Sequence, residues 1–190
     1  VGHASERKAI DFVFYDAGPN IGPLNRVILL DCDYFIVPVA CDLFSVRALK
    51  TLGITLSKWI SDWALISELA PVNTPGLSAF PLFLGYVPQR FRVYGGDVAR
   101  GYAKYLPQIE KHIESDLVSV LRNVDVGLVP KPGRVLGQVK DFATIAAASQ
   151  RAGRPMKDAD AGTSIQRSEA AETFLEIARN IIEWTTAGLA

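Results

Sequence analysis

Methionine occurs once and cysteine and histidine twice each in 190 residues, and twenty basic side chains balance twenty acidic ones, leaving no net charge. The neutral total gives no bulk-charge argument for a polyanionic partner, so only the distribution along the chain can speak to one. Cys32 and Cys41 have eight residues between them, a spacing that fits neither a close metal-binding pair nor a dense disulfide framework. Both are expected as buried thiols in a reducing, cytoplasmic setting. His3 lies near the start and His112 in a polar helical stretch, so a Ser-His-Asp or zinc arrangement has little to build on and surface placement is expected. Pro71, Pro75, Pro81 and Pro88 interrupt the uncharged stretch from Leu69 to Gln89, which therefore reads as a loop leading into a strand and not as a membrane span. No charged-then-apolar leader is visible and the first residue is Val, so the chain reads as a fragment or a processed product.

What is present is enough apolar material, 49% of residues, to bury the core of one globular domain spanning 1–190. Short runs rich in β-formers occur at 11–16 (DFVFYD), 34–40 (YFIVPVA), 81–87 (PLFLGYV) and 124–129 (VDVGLV). Helix-length segments separate them at 23–31, 42–63 and 96–121, the last expected to bend or break at Pro107. Residues 164–184 place Ala171, Phe174, Leu175, Ala178, Ile181 and Ile182 at helical spacing. Trp59, Trp63 and Trp184 fall on these helices at positions suited to packing. Alternating strands and helices predict an α/β fold with a mostly parallel sheet covered by helices. In such a sheet a ligand sits beyond the carboxyl ends of the strands, which points to Asp16, Ala40–Asp42, Pro88–Arg90, and Pro130 with Lys131.

An Asp closing a buried strand can hold a hydrated magnesium ion beside substrate phosphates, or it can cap the following turn. The loop after Asp16, DAGPNIG, resembles the D-x-P-P-S-x-G segment that follows the Walker B strand in the ParA/MinD group of P-loop ATPases. The resemblance continues through LLDCDYFIVPVACDLFSVRAL (29–49), similar to that family's ADYVIIPV strand and helix entry, and through FLGYVPQRF (83–91). IAAASQRAGRPMKDAD (145–160) is similar to LAEAPSFGKPVLEYD, and the closing helix corresponds. The resemblance implies a P-loop NTPase-like domain truncated at its N-terminus, in which Asp16 holds Mg2+ through water and Gly22 lies in the loop that senses the γ-phosphate. Gln89 falls at the family's base-contacting amide, and Val129, Pro130 and Lys131 fall at the loop flanking adenine. Ala17 and Asn20 depart from the family's Pro and Ser, and Gln89 is longer than the usual Asn.

No GxxxxGK-Ser/Thr loop occurs in the chain. The resemblance places that loop upstream, on the order of a hundred residues by domain size, so the intact protein is expected to bind and hydrolyse ATP with Mg2+ while this portion is expected to do so poorly or not at all. It further implies a homodimer, an activating partner protein, non-specific DNA binding, and a role in plasmid or chromosome segregation. Residues 89–140 carry nine basic and five acidic side chains, so Arg90, Arg92, Arg100, Lys104, Lys131 and Arg134 are the candidates for DNA phosphate contacts, against the alternative of an ordinary solvated face. Two other function classes stand beside the ATPase switch. One is a related reductase or synthetase, disfavoured because Cys32 and Cys41 fall in or beside expected core strands and not at a cluster site. The other is an interaction module that keeps the fold without turnover.

Overall fold

The computed structural model describes residues 10–18, 22–69, 71, 80–91, 93–94, 97–98, 100–130 and 135–186. Helix α1 (Pro23–Leu30) begins with proline at its first position, where a missing N–H costs nothing, and Gly22 is its extended N-cap. Strand β1 (Tyr34–Ala40) follows, then the long helix α2 (Leu43–Leu69) and strand β2 (Leu82–Phe91). Two short antiparallel strands, β3 (Val93–Tyr94) and β4 (Asp97–Val98), lead to α3 (Arg100–Ala103) and α4 (Leu106–His112). A π-helical turn, Ile113–Val118, joins α4 to α5 (Ser119–Val124). Strand β5 (Val139–Lys140), α6 (Ala143–Ala152) and α7 (Ser164–Thr186) complete the described chain.

The sheet has the order β1-β2-β5 with both ladders parallel, as the strand-helix alternation predicts. Phe35, Val37 and Val39 alternate along β1 onto one face, where they meet Val46, Leu49, Leu56 and Ile60 of α2 and Ile109, Ile113, Leu117 and Leu121 of the α4–α5 segment. Burying each such side chain contributes about 1.5–3 kcal/mol before entropy is counted. The opposite face, with Tyr34, Ile36, Leu84 and Val87, packs on Ile177, Ile181 and Trp184 of α7. A smaller cluster of Phe142, Ile145, Ala159 and Ala170 ties α6 to α7. Gly85, with φ of 157°, sits where the β1–β2 register shifts opposite Phe35 and Ile36, so Phe83 and Tyr86 both reach the α2 face despite their odd spacing.

Close helix packing depends on Gly53. A Cβ there would lie 1.9 Å from the Asp116 carbonyl oxygen, so α2 and the π turn touch through their main chains. The extra residue of the π turn lets Leu117 and Val118 both turn inward, fully buried. The indole nitrogen of Trp63, further along α2, is buried and has no hydrogen-bond partner among the described residues.

Several expectations are corrected. Residues 11–16 are not a strand: Ile10 to Gly18 is chain without regular structure and exposed throughout, because an extended segment becomes a strand only where another backbone completes its ladder. Residues 124–129 are not a strand either. The Asp125 carboxylate accepts the Gly127 N–H at 2.7 Å and closes a 3₁₀ turn over Val126–Leu128, whose Leu128 and Val129 are buried. Buried turn residues are as apolar as strand residues, which is why the pattern misleads. The helix of 96–121 breaks after Ala103, and Pro107 lies in the first turn of α4, starting a helix instead of ending one. Helix α2 runs six residues beyond 63, and Cys32 is half-buried while Cys41 is buried. Among the described residues no helix is long and apolar enough to cross a membrane.

Candidate functional site

The carboxyl ends of β1, β2 and β5 form one rim. After β1, Cys41 donates its N–H to the Gln89 carbonyl at 3.0 Å. Asp42 then caps α2: its carboxylate accepts the Ser45 N–H at 2.8 Å and the Ser45 hydroxyl at 3.3 Å. The helix N-terminus that an anion would seek is thereby matched by a carboxylate of the chain itself. At the end of β2, Gln89 is half-buried and Arg90 is exposed. Arg90 has φ of 61° and sits in a bulge between Gln89 and Phe91, which pair with Val139 and Lys140. After β5, Asp141 donates its N–H to the Phe91 carbonyl at 2.8 Å and accepts the Ala143 N–H at 2.9 Å, and Ala143 has φ of 44°. Two non-glycine residues in the left-handed region on adjacent strand ends mark the rim as the strained part of the fold.

Burial, reinforced by the charge of Asp42, pushes the Cys41 thiol up to about 11. Cys32 is raised as well, chiefly by burial and then by Asp31 and Asp33 on either side. Neither thiol is activated as a nucleophile or ligand.

Only some of the sequence-derived site residues come together. Gln89 and Arg90 share the rim, and Val129, buried, lies against the core beneath β2, with Pro130 exposed after it. Asp16 is exposed, on chain without regular structure. Gly22 is half-buried at the start of α1, its carbonyl accepting the Arg26 N–H at 3.1 Å. Lys104 is exposed and lies 4.9 Å from the Tyr105 ring centre. Lys131, Arg134 and Arg92, and the side chain of Arg100, lie outside the described residues. Among the described residues no three His, Cys, Asp or Glu side chains are placed to hold a metal ion.

Sequence reasoning missed two features. His112 Nδ1 meets the Asp116 carboxylate at 2.6 Å across the π turn, an i, i+4 spacing that was there to be read. The hydrogen bond from His112, and then that from Ser115, holds Asp116 below the usual carboxylate range against the opposing effect of burial. The second is the free edge of β1. Cys41 N–H and the Asp33 carbonyl both bond to β2, so by the alternation of a parallel strand the odd residues face β2 and Tyr34, Ile36, Pro38 and Ala40 face outward. Among the described residues no strand pairs on that side. Pro38, which lacks an N–H, stands at an outward position where no bond to β2 is forfeited.

No protein-family model, no curated protein and no solved structure matches the chain.

Proposed function

We propose that the chain is an interaction module on a ParA/MinD-like α/β scaffold, one that does not itself turn over nucleotide and that receives an extended apolar segment along the open edge of β1. The observation that carries this reading is the row of outward main-chain groups at Tyr34 and Ile36 and the outward N–H of Ala40, which have no ladder partner among the described residues; the Ala40 carbonyl accepts the Asp42 N–H at 2.8 Å. Such an edge is a template for strand addition. Helices α1 and α2 both contribute to the cluster on the same face of the sheet. By the right-handed rule for parallel crossovers, a strand feeding α1 belongs on the side of β1 away from β2. The chain also holds a segment of the needed chemistry: Phe12, Val13, Phe14 and Tyr15 are 40, 46, 71 and 38% exposed.

The test is titration of the full chain with a labelled peptide of the sequence of residues 9–18. Saturable binding that is abolished by Ala40→Pro, which deletes an outward donor with little loss of packing, supports the reading. Absence of binding, or binding unchanged in A40P, overturns it.

A second reading is an ATP- and Mg2+-dependent dimerising switch of the partitioning type, with DNA and an activating protein as partners. The exposed Arg90 at the strand-end rim favours it. Sequencing the coding region upstream of Val1 separates the two: a phosphate loop with its signature lysines there supports the switch, and no such loop supports the module.

A further inference from the structure

Helix α7 carries two apolar stripes. At about 100° per residue, Ala170, Ile177, Ile181 and Trp184 fall together and face the other layers of the protein. Ala171, Phe174, Leu175, Ala178 and Ile182 fall about a quarter turn away. Phe174, Leu175 and Ile182 are 45, 53 and 49% exposed. Phe174 and Leu175 also line a groove of about 440 Å³ completed by Met156, Lys157 and Ala171. Isolated exposed leucines need no explanation, but a continuous second stripe beside an apolar groove does.

The charges along this stripe identify what covers it. Glu172 and Arg179 lie seven residues apart on the flank that faces away from the body of the protein, with Leu175 near their midpoint. Neither has an ion-pair partner among the described residues. In antiparallel α7 pairs related by a two-fold axis at Leu175, equal flanks meet. Glu172 then stands opposite Arg179 of the partner subunit, and the reciprocal pair forms on the other side of the axis. In a parallel two-fold pair the two copies of this flank lie on opposite sides of the contact, so Glu172 and Arg179 do not meet and that pairing gains nothing from them. Ala171 and Ala178 bracket Phe174 and Leu175, so the helices can approach at the short end of the usual 8–10 Å separation.

We infer that the outer face of α7 is the interface of an isologous dimer of this chain, with Leu175 at its axis and Glu172–Arg179 pairs on its border. The inference uses a surface on the opposite side of the sheet from α1 and α2, and it does not depend on the β1 edge.

Sedimentation equilibrium of the full chain tests it. The wild type is expected to show a concentration-dependent monomer–dimer equilibrium, and Leu175→Arg to be monomeric. Glu172→Arg and Arg179→Glu, each turning two symmetry-related attractions into repulsions, are expected to weaken the dimer about tenfold. The double reversal E172R/R179E is expected to return the dissociation constant to within about threefold of wild type. A wild type that stays monomeric up to about 100 μM, or a double reversal weaker than either single one, overturns the inference. All three positions are solvent-facing, and circular dichroism checks that each variant is folded; if L175R is not, the charge-reversal cycle decides. Ala40→Pro is expected to leave the dimer unchanged, so this result and the peptide result fail separately.

Discussion

Gly53 of α2 and Asp116 of the π turn meet main chain to main chain, at a place where a Cβ on residue 53 would stand 1.9 Å from the carbonyl oxygen. Gly53→Ala gains about 1 kcal/mol of helix propensity but forces two packed helical segments apart, and a clash with backbone cannot be relieved by a rotamer change. The expected net loss is about 2 kcal/mol, seen in urea denaturation as a lower midpoint and in calorimetry as a Tm lower by roughly 4–8 °C. A midpoint at or above wild type shows that the two segments are free to separate.

The contact between His112 and Asp116 makes acid stability a property of the π turn. Because hydrogen bonding holds the Asp116 pKa below the ordinary carboxylate value of 3.8, its contribution is complete above that value and is lost as pH falls through the lowered pKa. Asp116→Asn is therefore expected to be less stable than wild type at pH 6, with the gap closing as the buffer is taken below pH 3.8. Denaturation midpoints across that range check it, and a gap that widens on acidification reverses the assignment.

The buried indole N–H of Trp63, without an acceptor among the described residues, gives an asymmetric expectation. Trp63→Phe removes this buried donor, which offsets much of the volume lost, so its cost is expected within about 1 kcal/mol. Trp63→Ala gives up the packing as well and is expected to cost about 3–5 kcal/mol. Equal costs in chemical denaturation, or a larger one for the Phe variant, indicate that the indole is hydrogen-bonded in solution.

Cys41 predicts an alkaline limb. Its thiol is raised from 9.0 to about 11 by burial and by Asp42, so the folded state favours the neutral form. That contribution is complete below pH 9 and declines as pH rises toward 11. Cys41→Ala is expected to show a flatter stability profile over that interval, whatever its stability at pH 7. An unchanged slope places the alkaline transition on another group.

The parts of the fold legible in the sequence were those in which a local pattern and the tertiary environment ask for the same thing. Residues 34–40 are apolar without a break because β1 has a helix layer on each face, and the spacing of Ala171, Phe174, Leu175, Ala178, Ile181 and Ile182 shows that α7 is a helix but not which side it buries, since of these only Ile181 is buried. Asp125 was misread because its local hydrogen bond overrides the β propensity of the valines around it. Residues 11–16 carry an intrinsic preference for extension, but whether an extended piece joins a sheet is decided by a neighbour that its own residues do not specify. The same limit held at the rim: Gln89 and Arg90 were expected beyond the strand, whereas β2 runs on through Phe91, and the left-handed backbone at Arg90 was invisible because glycine, the usual signal, is absent there.

Pro38 bears on what happens when many copies crowd together. Its ring interrupts the donors along the border at the third of four outward positions, leaving Tyr34 and Ile36 on one side and Ala40 alone on the other. A visiting chain can hold a short stretch but cannot find the unbroken register that endless stacking requires, so the border can serve brief docking without seeding fibres.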